Sequence, residues 1–202
     1  MYNLLEINII DEKKHYLLKG SLYDNAQKEV GKIFDDGTIH ADMNSPYKLI
    51  LDESDSLIKN RTSTDMIATS VISAGLLFLI SPKAQDLLLE LASNDIEMYE
   101  VEIQGNDFEL NDYKIVKILD KVDCVDLEKS DVDYDEDFDS IDSAEEIVLD
   151  ESKIPIGKQL FLLGKRSTGI IVVHENLKRA IEEADLTGFQ FWGLDEAYQV
   201  IS

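Results

Sequence analysis

The densest run of side chains able to do chemistry lies at 131–142, which reads Asp131-Val-Asp133-Tyr-Asp135-Glu136-Asp137-Phe138-Asp139-Ser-Ile-Asp142. Oxygen ligands at alternating positions are how calcium loops of the EF-hand type wrap a hard cation. Positions 1, 3, 5 and 9 of this run are aspartates, and a phenylalanine holds position 8. Two residues depart from that pattern. Glu136 stands where glycine makes the sharp turn, and Asp142 replaces the long bidentate glutamate. Convincing flanking helices are also missing. Burying these charges unpaired would be very costly. The sequence therefore favours a solvent-facing loop over 131–139, or a loop that meets a partner, rather than a cation site. Asp131, Asp133, Asp135, Glu136, Asp137 and Asp139 are the candidate partner-binding residues, and no metal site is expected.

Other chemistry is sparse. Gly164-Lys165-Arg166-Ser167 lacks the leading glycine of a phosphate loop, and Arg166 separates its lysine from its serine. Neither a G-x-S-x-G elbow nor an H-E-x-x-H pair occurs. The histidines are His15, His40 and His174. His174 follows an apolar strand at the place a helix cap would take, so a capping or surface role is expected rather than general-base catalysis. Cys124 lies beside Asp123, whose carboxylate disfavours a thiolate nucleophile. No catalytic constellation and no cofactor are expected, which points to binding rather than catalysis. Phe189 and Phe191 alternate as core-facing residues of a strand. Trp192 then points to the opposite face, which makes it a candidate interface anchor.

The formal net charge is −23, from 42 acidic and 19 basic residues. Residues 120–151 carry 15 carboxylates and two lysines, more than half of that excess, whereas 152–180 carries six cations and one glutamate. The two segments are placed to neutralise each other in part. The overall charge disfavours nucleic acid and anionic membranes as partners and suits a basic protein, although net charge also serves solubility. One cysteine allows no internal disulfide and fits a reducing compartment. The beginning, MYNLLEINIIDEKKHY, lacks the pattern of a secretory signal. The most apolar run, 66–80, is interrupted by Thr69, Ser70, Ser73 and Gly75 and falls short of the ~20 residues that cross a bilayer. A buried strand region and a cytoplasmic protein are the expectation.

The elements that must position these residues are unevenly legible. The first 60 residues are β-rich, with apolar runs near 5–9, 15–18 and 47–51 and turns at 35–37 and 44–46. The clearest unit spans 76–101. An apolar strand at 76–80 leads into Ser81-Pro82, a helix start, and Ala84, Leu87, Leu88 and Leu91 then fall on one helical face. A strand resumes at Ile96. The design recurs at 169–194, with Leu177, Ala180, Ile181 and Ala184 on the helix face and a strand through Phe189 and Phe191. The helix faces superpose at an offset of 93 residues, Ser81 against His174. A further strand is predicted over 113–119. Helices this short must dock on a sheet. The fold class expected is α+β, one domain over 1–202, with a mixed sheet covered by helices at about 82–92 and 175–185.

The stretches Leu79-Ile-Ser-Pro-Lys-Ala-Gln-Asp-Leu-Leu, Val122-Asp-Cys-Val-Asp-Leu-Glu-Lys-Ser130 and Leu149-Asp-Glu-Ser-Lys-Ile-Pro155 stand in a notable order. Ile171-Val-Val-His-Glu-Asn-Leu-Lys and Leu186-Thr-Gly-Phe-Gln-Phe191 close the series. Together, over 65–194, they resemble a family of bacterial immunity proteins from polymorphic toxin systems, the Myxococcus-type immunity domain formerly of unknown function. His174 departs from the serine expected at that turn, and Phe161-Leu-Leu from an expected Phe-Arg pair. The first 60 residues match weakly, as a variable part would. The resemblance implies a protein that binds and neutralises a cognate toxin, with no catalytic residues to carry over. The toxin expected is basic and of the nuclease kind. The alternative is a calcium-responsive or general acidic interaction module without a toxin.

Overall fold

The computed structural model describes residues 1–7, 14–18, 20–23, 47–51, 62–69, 77–104, 110, 112–165 and 169–201. The turns expected at 35–37 and 44–46 lie outside them, as does His40. Within the described residues the α+β class holds, with the strands in two large sheets and a separate hairpin.

The first recurring unit runs β6 (Leu77–Ile80), α1 (Pro82–Ala92), β7 (Ile96–Gln104). Ser81 caps α1: its hydroxyl accepts from the Ala84 N–H at 3.3 Å, and Pro82 needs no donor at that position. β6 and β7 do not pair with each other. Both pair antiparallel with β8 (Lys114–Ile118), which lies between them. The second unit repeats this arrangement. β13 (Ile171–His174), α2 (Glu175–Glu183) and β14 (Phe189–Trp192) form it, and β1 (Tyr2–Ile7) is the strand in the middle. The repetition read at an offset of 93 is thus a repetition of topology, with the central strand supplied from opposite directions along the chain.

Each unit sits in its own sheet, whereas a single sheet was expected. The larger has the order β2-β5-β6-β8-β7-β4-β3, where β2 is Lys14–Leu18, β3 Gly20–Tyr23, β4 Tyr47–Leu51 and β5 Thr62–Thr69. Of these, β2 and β4 fall where the apolar runs at 15–18 and 47–51 placed them, whereas β3 and the start of β5 had no such run to mark them. The smaller sheet has the order β14-β1-β13-β12-β9, with β12 at Leu160–Leu163 and β9 at Lys121–Val122. β1 therefore belongs to the sheet of the C-terminal unit and not to the N-terminal part.

One core draws on both sheets and both helices. It holds Met66, Phe78, Ile80, Leu88 and Val116 from one half and Leu5, Leu162, Val173, Leu177 and Ile181 from the other. Asp65 fastens the halves by hydrogen bonds. Its carboxylate accepts from the Ser81 hydroxyl at 2.6 Å, the Thr187 N–H at 2.8 Å and the Thr187 hydroxyl at 2.9 Å. The chain then turns at Gly188, where φ is +91° and a Cβ would lie 2.3 Å from the Met66 carbonyl oxygen. Only glycine fits there.

Asp95, which follows α1, is 3% exposed. Its carboxylate accepts from the N–H groups of Gln159 at 2.7 Å and Leu160 at 3.0 Å and pairs with Lys158 at 2.9 Å. Lys158 also pairs with Asp120 at 2.5 Å. Burial pulls the Lys158 ammonium down most strongly. The hydrogen bonds and charges of Asp120 and Asp95 together outweigh it and hold its pKa above the usual lysine value.

The outer face of the smaller sheet carries a second core. Leu4, Phe161, Leu163 and Val172 meet Cys124, Ile141, Ile147 and Ala197 there. This second core positions the acidic tract.

Candidate functional site

Residues 131–139 face solvent for the most part, as expected, but only 136–139 are a connecting turn. Asp131–Asp135 forms strand β10 and Ser140–Glu146 forms β11, joined by a turn at 136–139. Aspartate is poor in strands, but Val132 and Tyr134 alternate and, with Ile141 and Ala144 across an irregular stretch of the ladder, reach the second core. Their burial decides the local structure. Asp131 and Asp133 fall on the opposite, exposed face. The turn is closed by the Asp135 carboxylate, which accepts from the N–H groups of Asp137 at 2.9 Å and Phe138 at 3.2 Å. Asp139 takes a φ of +49°, which aspartate tolerates better than most residues.

The tip is held to the body of the protein by Lys165. Its ammonium lies 2.6 Å from Asp139, 3.3 Å from Asp123 and 5.8 Å from the centre of the Tyr134 ring. The Tyr134 hydroxyl donates to the same Asp139 carboxylate. Hydrogen bonds from Lys165 and then Tyr134 hold the Asp139 carboxyl below its usual value. The bond to Asp139 is likewise the largest influence raising Lys165. Gly164, just before it, packs so close to Asp123 that a Cβ would meet the Asp123 Cα at 2.6 Å. The Lys158 and Lys165 pairs realise the mutual neutralisation expected between 120–151 and 152–180. They also give Lys165 a structural task.

That pairing accounts for Asp139 alone among the six candidate carboxylates. Among the described residues, no lysine or arginine pairs with Asp131, Asp133, Asp135, Glu136 or Asp137. Phe138 stands among them at the apex and is 81% exposed. It borders an open recess of 690 Å³ lined by Lys121, Asp135, Phe138, Asp139, Ser140, Asp142 and Lys165. Phe138 was not among the residues expected to meet a partner. Its signal was an aromatic side chain inside a turn of carboxylates, where no core is within reach.

The geometry of the hairpin differs from that of an EF-hand calcium loop. The aspartates lie along a paired strand and a tight turn, flanked by strands and not by helices. Among the described residues, no group of three or more His, Cys, Asp or Glu side chains could hold a metal ion.

Trp192 lies on the side of the smaller sheet opposite Phe189 and Phe191, and it packs on the same second core as the hairpin. It is half-buried, and its indole N–H donates to Glu6 at 3.1 Å. His174 caps α2: its Nδ1 accepts from the Asn176 N–H at 3.2 Å. Burial and then the nearby N-terminal ammonium lower its pKa. Cys124 is buried, and burial followed by the charge of Asp123 pushes its thiol up to about 11. It is not an activated nucleophile.

No helix among the described residues is long and apolar enough to cross a membrane. A search of curated proteins finds no match to this chain. A family model described as the immunity protein family Imm11 matches residues 8–196, which reaches well into the N-terminal part where the resemblance had been weak. With nearly its whole length matched by that model, the chain belongs to the Imm11 immunity protein family.

Proposed function

We propose that this protein binds and neutralises a cognate bacterial toxin in the cytoplasm, as one unit over 1–202 and without catalysing a reaction. Its acidic hairpin is the contact surface. The observation that carries the reading is the join of family membership to the apex of β10–β11, where an exposed phenylalanine stands beside Glu136 and Asp137, with which no lysine or arginine among the described residues pairs. Surfaces rich in carboxylates speed encounter with basic partners, and a desolvated aromatic anchor supplies much of the binding energy.

In this reading Asp131, Asp133, Asp135, Glu136 and Asp137 face a basic cleft of the toxin. That is the electrostatic character of an enzyme that handles nucleic acid. Phe138 enters the cleft as the apolar anchor. Asp139 keeps the tip in place through Lys165, and Trp192 is a second anchor, on the sheet that supports the hairpin. Mimicry of phosphate charge then explains why the acidity is concentrated in one exposed element.

The test is capture of the partner from native lysate at low salt, followed by expression of the captured protein alone and together with this chain. The expected outcome is one basic protein, released at moderate salt, lethal alone and harmless in the presence of its binder. Lethality unchanged by co-expression would refute the proposal.

A further inference from the structure

We infer that the outer edge of β10 is a strand-addition site for an extended, basic segment of the toxin. The inference deepens the proposed function and rests on it. Among the described residues, β10 pairs on one side only, with β11. The far side of β11 is already occupied. Its Ile141 N–H donates to the Lys165 carbonyl at 2.6 Å, Ala144 N–H to Ile201 at 3.3 Å, and Ile147 N–H, just beyond it, to Leu194 at 2.8 Å. Among the described residues, the hairpin is thus fixed along one margin and open along the other. An open strand margin presents a row of backbone donors and acceptors, the template on which an added strand forms.

The side chains of β10 select the occupant. Asp131 and Asp133 are exposed, and Val132 and Tyr134 alternate with them towards the core. An incoming strand places its own residues about 4.5–5.5 Å from those they face, so lysine or arginine at every second position would meet this row. A second copy of this chain is a poor occupant, because two such edges would set aspartate against aspartate. The acidity therefore protects the edge from self-pairing while leaving it open to a basic strand. The occupant is an alternating Lys/Arg segment about five residues long, the length of β10.

The probe is a synthetic peptide, Lys-Thr-Lys-Val-Lys-Thr-Lys, titrated into the ¹⁵N-labelled full chain. Two analogues carry N-methyl groups on alternate amides, one on the odd set and one on the even. A third has the same composition with its lysines in one block. The expected result is shifted and exchange-protected amides at 131–135. One N-methyl analogue should lose about tenfold in affinity while the other binds like the parent, because only one set of amides faces β10. Equal binding by all four peptides, or no amide shift at millimolar peptide, overturns strand addition. In parallel, Asp131→Lys with Asp133→Lys is tested for protection against the captured toxin. Lost protection with negative peptide results leaves the proposed function standing and removes only the strand-addition mode. Intact protection removes the hairpin from the contact surface altogether.

Discussion

The ammonium of Lys165 lies 2.6 Å from the carboxylate of Asp139, 26 residues earlier in the chain, and this contact ties the acidic tip to the loop after β12. Both groups are partly open to water, so the pair governs local order more than global stability. Lys165→Met should speed amide exchange at 135–140 and leave the main unfolding transition nearly unmoved. Because the folded Asp139 carboxyl lies below the ordinary 3.8, its contribution is complete above that pH. It fades as pH falls further, through the folded value. Exchange rates at the tip measured from pH 5 downwards check the sign, and an early loosening above pH 4.5 would contradict it.

Phe138 has no packing to lose at 81% exposure. Phe138→Ala should change stability by less than about 0.5 kcal/mol. Toxin affinity should nevertheless fall at least about tenfold, as it does for an aromatic anchor. Calorimetric titration of the captured toxin, paired with a thermal melt, separates the two effects. Unchanged affinity would remove Phe138 from the contact.

Asp95→Ala strips the buried Lys158 of one of its two carboxylates and leaves the N–H groups of Gln159 and Leu160 without their acceptor. The expected loss is about 3 kcal/mol, and Asp95→Asn, which keeps an acceptor, should lose less. Urea denaturation of the two variants ranks them. Equal losses would mean that the charge, and not hydrogen bonding, governs the site.

His174 accepts its capping bond on Nδ1, so protonation there removes the cap. Its folded pKa is lowered from the ordinary 6.5. The unfolded chain therefore takes up the proton first as pH falls. The contribution to stability is complete above 6.5 and declines below it, through the folded value. His174→Ser, which copies Ser81 of the other unit, should keep the cap, worth about 1 kcal/mol, and flatten this part of the pH profile. Unfolding free energies between pH 5 and 7.5 for both proteins decide the matter.

Much of the framework was legible because it rests on local signals. Ser81-Pro82 and the 3.6-residue rhythm of Leu88 and Leu91 mark α1, and Leu177 with Ile181 marks α2. The apolar run at 47–51 marks β4. What escaped depends on partners distant in sequence. The strand character of 131–135 was hidden by its aspartates, since the core that accepts Val132 and Tyr134 is built from β1, β12, β13 and the segment after Trp192. Division into two sheets was equally invisible, because nothing within 2–7 announces pairing with 171–174. Of the candidate site, the acidic residues stood out in composition. Phe138 was not, since exposure of an aromatic is known only once the turn beneath it is known.

The place of β1 has a consequence for the order in which the molecule comes into being. Tyr2 pairs with His174, and Leu4 with both Val172 and Trp192. Ribosomes add roughly 5–20 residues per second, so this strand waits on the order of ten to thirty seconds for its neighbours. Until then the smaller sheet lacks its middle, the second core lacks Leu4, and the floor beneath the hairpin is incomplete. Competence to meet a partner thus arrives late and all at once, when translation has passed the last strand.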